Sequence, residues 1–151
     1  MKEKGNLDII DSTLRDGEQA PGAVFSLKEK MHICEMLDKI GIPEVELETP
    51  AMSDSDVKEI RTIVDQQMSF RSLVWSRFCK KDIDAAVKTH AKGIHISLPV
   101  SSIHLGAMGK DKEWVRVNLR NAVNYARDYF EYVTIGAQDA SRADMVSWKV
   151  I

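Results

Sequence analysis

Cysteine is scarce in this chain. Only Cys34 and Cys79 occur among 151 residues, and no spacing pairs them. That excludes a disulfide framework and suits two reduced thiols in a cytoplasmic protein. Long apolar runs are missing as well: none approaches the roughly 18 residues of a membrane span. The start, Met1-Lys2-Glu3-Lys4, leads straight into a strand without the apolar core of a signal peptide. Charge of one sign is not in excess. The net charge is −2 with an isoelectric point near 6.1, and no basic patch stands out, which argues against nucleic acid as a partner. The scattered Lys and Arg read as solvated helix faces. No Gly-rich loop follows the first strand in a Rossmann or P-loop pattern, so a nucleotide or phosphate site has no support.

What is present is a regular alternation of strand and helix. Leu7 to Asp11 is a short apolar run ending in polar residues. Ser26-Leu-Lys-Glu29 has the form of a capping box, Ile33, Met36/Leu37 and Ile40 recur at helical spacing, and Gly41 is a natural stop. Val45 to Leu47 reads as a second strand, and Ser53 to Asp56 cap a second helix with Val57, Ile60, Ile63 and Val64 on one face. Phe70 to Trp75 is a third strand. A third helix carries Ile83, Ala86, Val87 and His90 and is closed by Gly93. Ile94 to Leu98 is the fourth strand, and the fourth helix carries Trp114 or Val115, then Leu119, Ala122 and Ala126. Tyr132 to Ile135 is the fifth strand, and a further helix is expected from about Arg142.

Repeated βα units imply a parallel sheet covered by helices. In such folds ligands sit at the C-terminal strand ends. All five strand ends turn polar here: Ser12 to Gln19, Glu48-Thr49, Ser76-Arg77, Pro99 to Ser102, and Gln138-Asp139. A complete (β/α)8 barrel takes eight strands and about 250 residues. The expectation is therefore an α/β fold, a partial TIM barrel of about five parallel βα units, with residues 1–151 as the N-terminal part of a catalytic domain. Such a chain would be truncated or one subunit of a split enzyme. A five-stranded open sheet of the flavodoxin type is the structural alternative.

The first loop concentrates the chemistry. Asp16 is a hard oxygen donor of the kind that suits Mg²⁺ or Mn²⁺. The neighbouring Arg15 can grip a carboxylate or keto oxygen with its planar fork. Gly17 allows a tight turn and Gln19 adds a neutral polar contact. A charged, solvent-exposed turn is the bland reading of the same residues. On the fourth strand, His95, Ser97 and Pro99 share one face and Ile94, Ile96 and Leu98 the other. His95 thereby falls on a polar inner face, or is a hydrogen-bonded core histidine. His32 and His90 are assigned to helices, and His104 to the surface or a loop.

The run Asp11-Ser-Thr-Leu-Arg-Asp-Gly-Glu-Gln-Ala-Pro-Gly resembles the signature of the DRE-TIM metallolyase superfamily, which includes isopropylmalate synthases, homocitrate synthases and related lyases. Its ending, Ala20-Pro21-Gly22, is most similar to the homocitrate synthases of nitrogen fixation. Further segments resemble the same subfamily in order. They are Val45 to Met52, Trp75-Ser76-Arg77, the stretch from His95 to Leu105, and Gly136 to Asp144. The resemblance implies that Asp16 is a metal ligand and that Arg15 polarises the keto group of a 2-oxo acid. It places Gln19, Arg77 and His95 near the substrate and puts Gln138 at a catalytic position.

The implied reaction is a Claisen-type condensation, with a divalent metal as Lewis acid and acetyl-CoA as the second substrate. With 2-oxoglutarate the product is homocitrate. Three departures from the family pattern accompany the matches. Gln138 stands where a glutamate is usual, and an amide cannot act as a base. Glu48 stands where glycine is common. No His-x-His metal pair occurs in the sequence. Two alternatives stay open. One is an isopropylmalate synthase or related carbon–carbon lyase. The other is a non-catalytic fragment or subunit, either self-associating or completed in trans by a C-terminal half-barrel.

Overall fold

The computed structural model describes residues 9–144. Five parallel strands, β1 (Ile10–Asp11), β2 (Glu44–Glu46), β3 (Arg71–Arg77), β4 (Gly93–Pro99) and β5 (Tyr132–Gln138), form one sheet in the order β1-β2-β3-β4-β5. Every strand lies beside its neighbour in sequence. A flavodoxin-type sheet would reverse direction at a switch point; this one does not. The architecture is a curled half-barrel, part of a TIM barrel. Of the expected first strand, Leu7 and Asp8 lie outside the described residues.

Five helices connect the strands: α1 (Leu27–Ile40), α2 (Asp54–Val64), α3 (Lys80–Val87), α4 (Ser102–Ala107) and α5 (Lys112–Arg127). The capping box at Ser26 and Glu29 forms in both directions, and Gly41 ends α1 in the left-handed region at φ 82°. Ser53 and Asp111 cap α2 and α5 by accepting from the amides of Asp56 and Trp114.

Alternation along the strands sorts the side chains. Val45, Leu47, Val74, Ile94 and Ile96 face the helices and are fully buried against Cys34, Ile60, Ile63, Ile83, Ala86, Ala122 and Ala126. Each large aliphatic chain removed from water there contributes about 1.5–3 kcal/mol. Burial also pushes the Cys34 thiol up to about 12, so it stays protonated and inert. Leu98, Val100 and Leu105 pack with Val115 and Leu119 in a second cluster below α4 and α5.

Three expectations are corrected, and a fourth falls largely outside the described residues. Helix α3 ends at Val87, not at Gly93, and His90 lies in a left-handed turn (φ 61°), not in the helix. Gly93 instead opens β4 on the inner face, because a Cβ there would stand 2.4 Å from Leu73 Cδ2. The short α4, carrying His104, fills what reads as loop. Near Arg142 there is a single 3-10 turn, Ala140–Arg142; the rest of the expected helix lies outside the described residues.

Candidate active site

The loop after β1 folds onto one carbonyl. Ser12 O accepts from the amides of Arg15, Asp16 and Gly17 at 3.1, 2.8 and 3.2 Å. The Asp11 carboxylate holds the Thr13 amide and hydroxyl at 3.0 and 3.2 Å. Leu14, 1% exposed, anchors this turn in the core. Arg15 is gripped on several sides. Its Nε donates to Glu46 Oε2 at 2.7 Å, Nη1 donates to Asp16 Oδ1 at 3.0 Å, and its guanidinium carbon lies 5.9 Å from the Trp75 ring centroid. The Glu46 carboxylate is almost wholly buried, so this charge-assisted bond is shielded from water on one side.

His95 sits on the inner face of β4, hydrogen-bonded between Nδ1 and Thr134 Oγ1 at 3.0 Å. Its ring lies over Gly136 of β5, where a Cβ would come within 2.2 Å of Nε2. Glycine at this position is what gives the imidazole its place. Burial lowers the His95 pKa below the usual 6.5, Glu46 opposes the shift, and the nearby Arg15 cation adds to it. The ring is therefore neutral at pH 7, able to hold or pass a proton.

Arg15, Gln19, Trp75, His95, Ser97 and Gln138 line one cleft of about 420 Å³ at the C-terminal strand ends. A second compartment of about 280 Å³ lies on the other side of Arg15 and Gln19, against Lys30 and Glu48. The larger cavities are elsewhere. One of about 550 Å³ lies toward Phe70, His90 and Lys92, near the N-terminal ends of β3 and β4. Another of about 700 Å³ lies between α3 and α5. Position relative to the strand ends outweighs size in choosing among them.

The structure thus brings Arg15, Gln19, His95 and Gln138 together. It keeps Arg77 apart. That guanidinium forks onto Asp82 of α3 at 2.6 and 3.0 Å and borders the cavity between α3 and α5. Asp16 is exposed beside Arg15. Among the described residues no group of three or more His, Cys, Asp or Glu side chains could hold a metal ion. A divalent cation takes several oxygen ligands, so these residues do not fit one by themselves. Glu46 and Trp75 escape a residue-by-residue reading of the sequence, whereas Ser97 lies on the face that alternation already gives to His95. Alternation from Leu47 and Ser76 would have put Glu46 and Trp75 on the inner face. Glu48, the departure at the end of β2, is buried and bonded to Lys30.

The HMGL-like family model matches residues 6–150. The chain belongs to the HMGL-like family. Homocitrate synthase 1 of Nostoc sp. is 39% identical over 137 residues, which is 90% of this chain and 36% of that protein. The homocitrate synthase subunit alpha of Clostridium pasteurianum is 34% identical over 140 residues, 92% of this chain and 52% of that one. A 2-isopropylmalate synthase of Caldanaerobacter subterraneus is 36% identical over 138 residues, 91% of this chain and 36% of that protein. The chain therefore spans between about a third and a half of the length of these curated relatives. Among the described residues no helix is long and apolar enough to cross a membrane.

Proposed function

We propose that this chain carries the 2-oxo-acid-binding part of a Claisen-condensing acyltransferase that joins the methyl carbon of acetyl-CoA to the keto carbon of 2-oxoglutarate, after which water cleaves the thioester to release homocitrate and CoA. The observation that supports this most directly is the fixed guanidinium of Arg15, held by Glu46 beside Trp75 at a cleft shared with Gln19, His95 and Gln138. A planar cation fixed before substrate arrives can bind a carboxylate or keto oxygen and stabilise the alkoxide that forms from it. Gln19 and the Gln138 amide orient the acid by hydrogen bonds, and neither takes a proton. Neutral His95 is the residue that can hold one. Arg77 would reach the acid only by giving up its fork onto Asp82.

In this reading Asp16 offers one oxygen to a divalent ion, Mg²⁺ or Mn²⁺, whose other ligands come from outside the described residues. A homo-oligomer or a complementary C-terminal half-barrel would complete the site. The similarity to a 2-isopropylmalate synthase supports a second reading, the same condensation on a branched 2-oxo acid.

The test is calorimetric titration of 2-oxoglutarate with Mn²⁺ into the chain, alone and mixed with the C-terminal half-barrel of a related synthase. Binding in the mixture, with homocitrate formed when acetyl-CoA is added, is expected. Tighter binding of a branched 2-oxo acid would favour the second reading, and no binding of either would overturn both.

A further inference from the structure

Three carboxylates from three segments converge on one ammonium. Lys30 of α1 is 5% exposed. Its Nζ bonds to Glu48 and lies 3.2 Å from both Glu18 Oε2 and Glu59 Oε2. Glu18 belongs to the 3-10 turn Gly17–Gln19, inside the loop that carries Arg15, Asp16 and Gln19. Its other oxygen accepts from the Phe25 amide at 2.9 Å, immediately before the α1 cap. Glu48 follows β2, two residues beyond the Glu46 that grips Arg15. The compartment bounded by Arg15, Gln19, Lys30 and Glu48 joins this cluster to the site.

A buried ion cluster of this kind is a poor device for stability alone. Desolvating the charges costs several kcal/mol per ion, and apolar side chains of similar volume often serve as well. Here one carboxylate oxygen, Glu48 Oε2, is buried without a hydrogen-bond partner. The charges facing Glu48 are Lys30 from α1, Glu18 from the turn, and Asp56 and Glu59 from α2. The carboxylates outnumber the ammonium. Burial accordingly raises Glu48 to about 7, with Lys30 opposing and Glu18 and Asp56 adding to the shift. Burial disfavours the Lys30 charge too, but Glu48, Glu59 and Glu18 together hold its proton more firmly than usual.

We propose that Lys30 is a positioning residue of the candidate site, its buried ammonium fastening the loop of Arg15, Asp16 and Gln19 to the strand end that carries Glu46 and Glu48. This rests on the reading of Arg15 as a substrate-binding group. Lys30 does not touch the substrate; it acts through Glu18 on the angle and rigidity of the loop.

The contrast between Glu18 and Glu59 makes the proposal testable. Both stand 3.2 Å from the same nitrogen, yet only Glu18 belongs to the loop. Amide hydrogen exchange is followed at residues 15–20 in the full chain for Glu18→Gln, Glu59→Gln and Lys30→Met. Calorimetry with 2-oxoglutarate is run on the same variants in the half-barrel mixture. Glu18→Gln and Lys30→Met should speed loop exchange by about tenfold, the scale of a lost hydrogen bond to a charged group. Glu59→Gln should leave it within about twofold, with amides of β3 and β4 unchanged. The Kd should weaken for Glu18→Gln and not for Glu59→Gln.

Equal effects of Glu18→Gln and Glu59→Gln on the loop would overturn the proposal, since a merely structural ion cluster predicts that. If Lys30→Met exposes β3 and β4 as well, Glu18→Gln alone decides. Exchange reads the loop whether or not 2-oxoglutarate binds. Loss of the functional reading would therefore appear only in the titration.

Discussion

Gly136→Ala adds a single methyl group at a non-catalytic position, and its effect should pass entirely through His95. The new Cβ would lie 2.2 Å from Nε2, 2.9 Å from Cε1 and 3.4 Å from Cδ2 of that ring. Contacts that short cannot persist, and the imidazole is the part able to move. Displacing it breaks the 3.0 Å bond to Thr134 Oγ1, worth about 1 kcal/mol. Overpacking adds to this, for a total of about 1–3 kcal/mol.

Gly136 does not have a positive φ, so alanine costs it no backbone strain. Once the ring is removed the same change should be neutral or stabilising by about 0.5–1 kcal/mol, through the unfolded chain. The assay is a double-mutant cycle by urea unfolding with Gly136→Ala, His95→Ala and the pair. A coupling energy above about 1 kcal/mol is expected. Equal destabilisation by Gly136→Ala in both backgrounds would refute the argument, because some neighbour other than His95 would then be meeting the methyl group.

Glu46→Gln keeps the shape but removes the charge that orients Arg15, and should weaken 2-oxoglutarate binding about tenfold or more by calorimetry. Asp82 is buried, which alone would raise its pKa, but the Arg77 fork outweighs this and lowers it. Its stabilising contribution is therefore present above the ordinary value of 3.8 and lost as pH falls below it. Acid unfolding of Asp82→Asn should lack that loss and start from a chain less stable at neutral pH by about 1–3 kcal/mol. Glu48 runs the other way. With its pKa raised from 4.5 to about 7, its contribution is full below 4.5 and declines as pH rises to about 7. The decline is at most about 1.4 kcal/mol per pH unit. Urea unfolding of Glu48→Gln between pH 5 and 7 should show a flatter slope than the parent.

The elements a sequence reveals are those whose signal is local and repeated. The alternation of Ile94, Ile96 and Leu98 with His95 and Ser97 places β4 and its faces, and Val115, Leu119, Ala122 and Ala126 mark the buried stripe of α5. Helix α4 escapes because six residues with a single buried side chain, Leu105, carry no period. Gly93 is ambiguous for a different reason. A glycine after a helical pattern serves equally as a stop or as the opening of a strand, and the Leu73 side chain that decides between them comes from another strand. At the site, Arg15 and His95 stand out by residue type and position. Glu46 does not, because its role exists only through a partner 31 residues away. Arg77 reads as a strand-end cation, and nothing in its spacing announces the fork to Asp82.

The consecutive strand order bears on how this chain is made as well as on what it holds. Register pairs such as Val45 with Ser72 or Leu73 with Gly93 join residues separated by one helical connection, and between β4 and β5 only α4 and α5 intervene. No strand must wait for a distant segment before it can pair, so the loop-closure entropy is met in modest instalments. A chain emerging from the ribosome can add one βα unit at a time to a sheet already begun. The loop of Arg15 and Asp16 is then in place as a template before β4 and β5 bring His95 and Gln138 to its cleft.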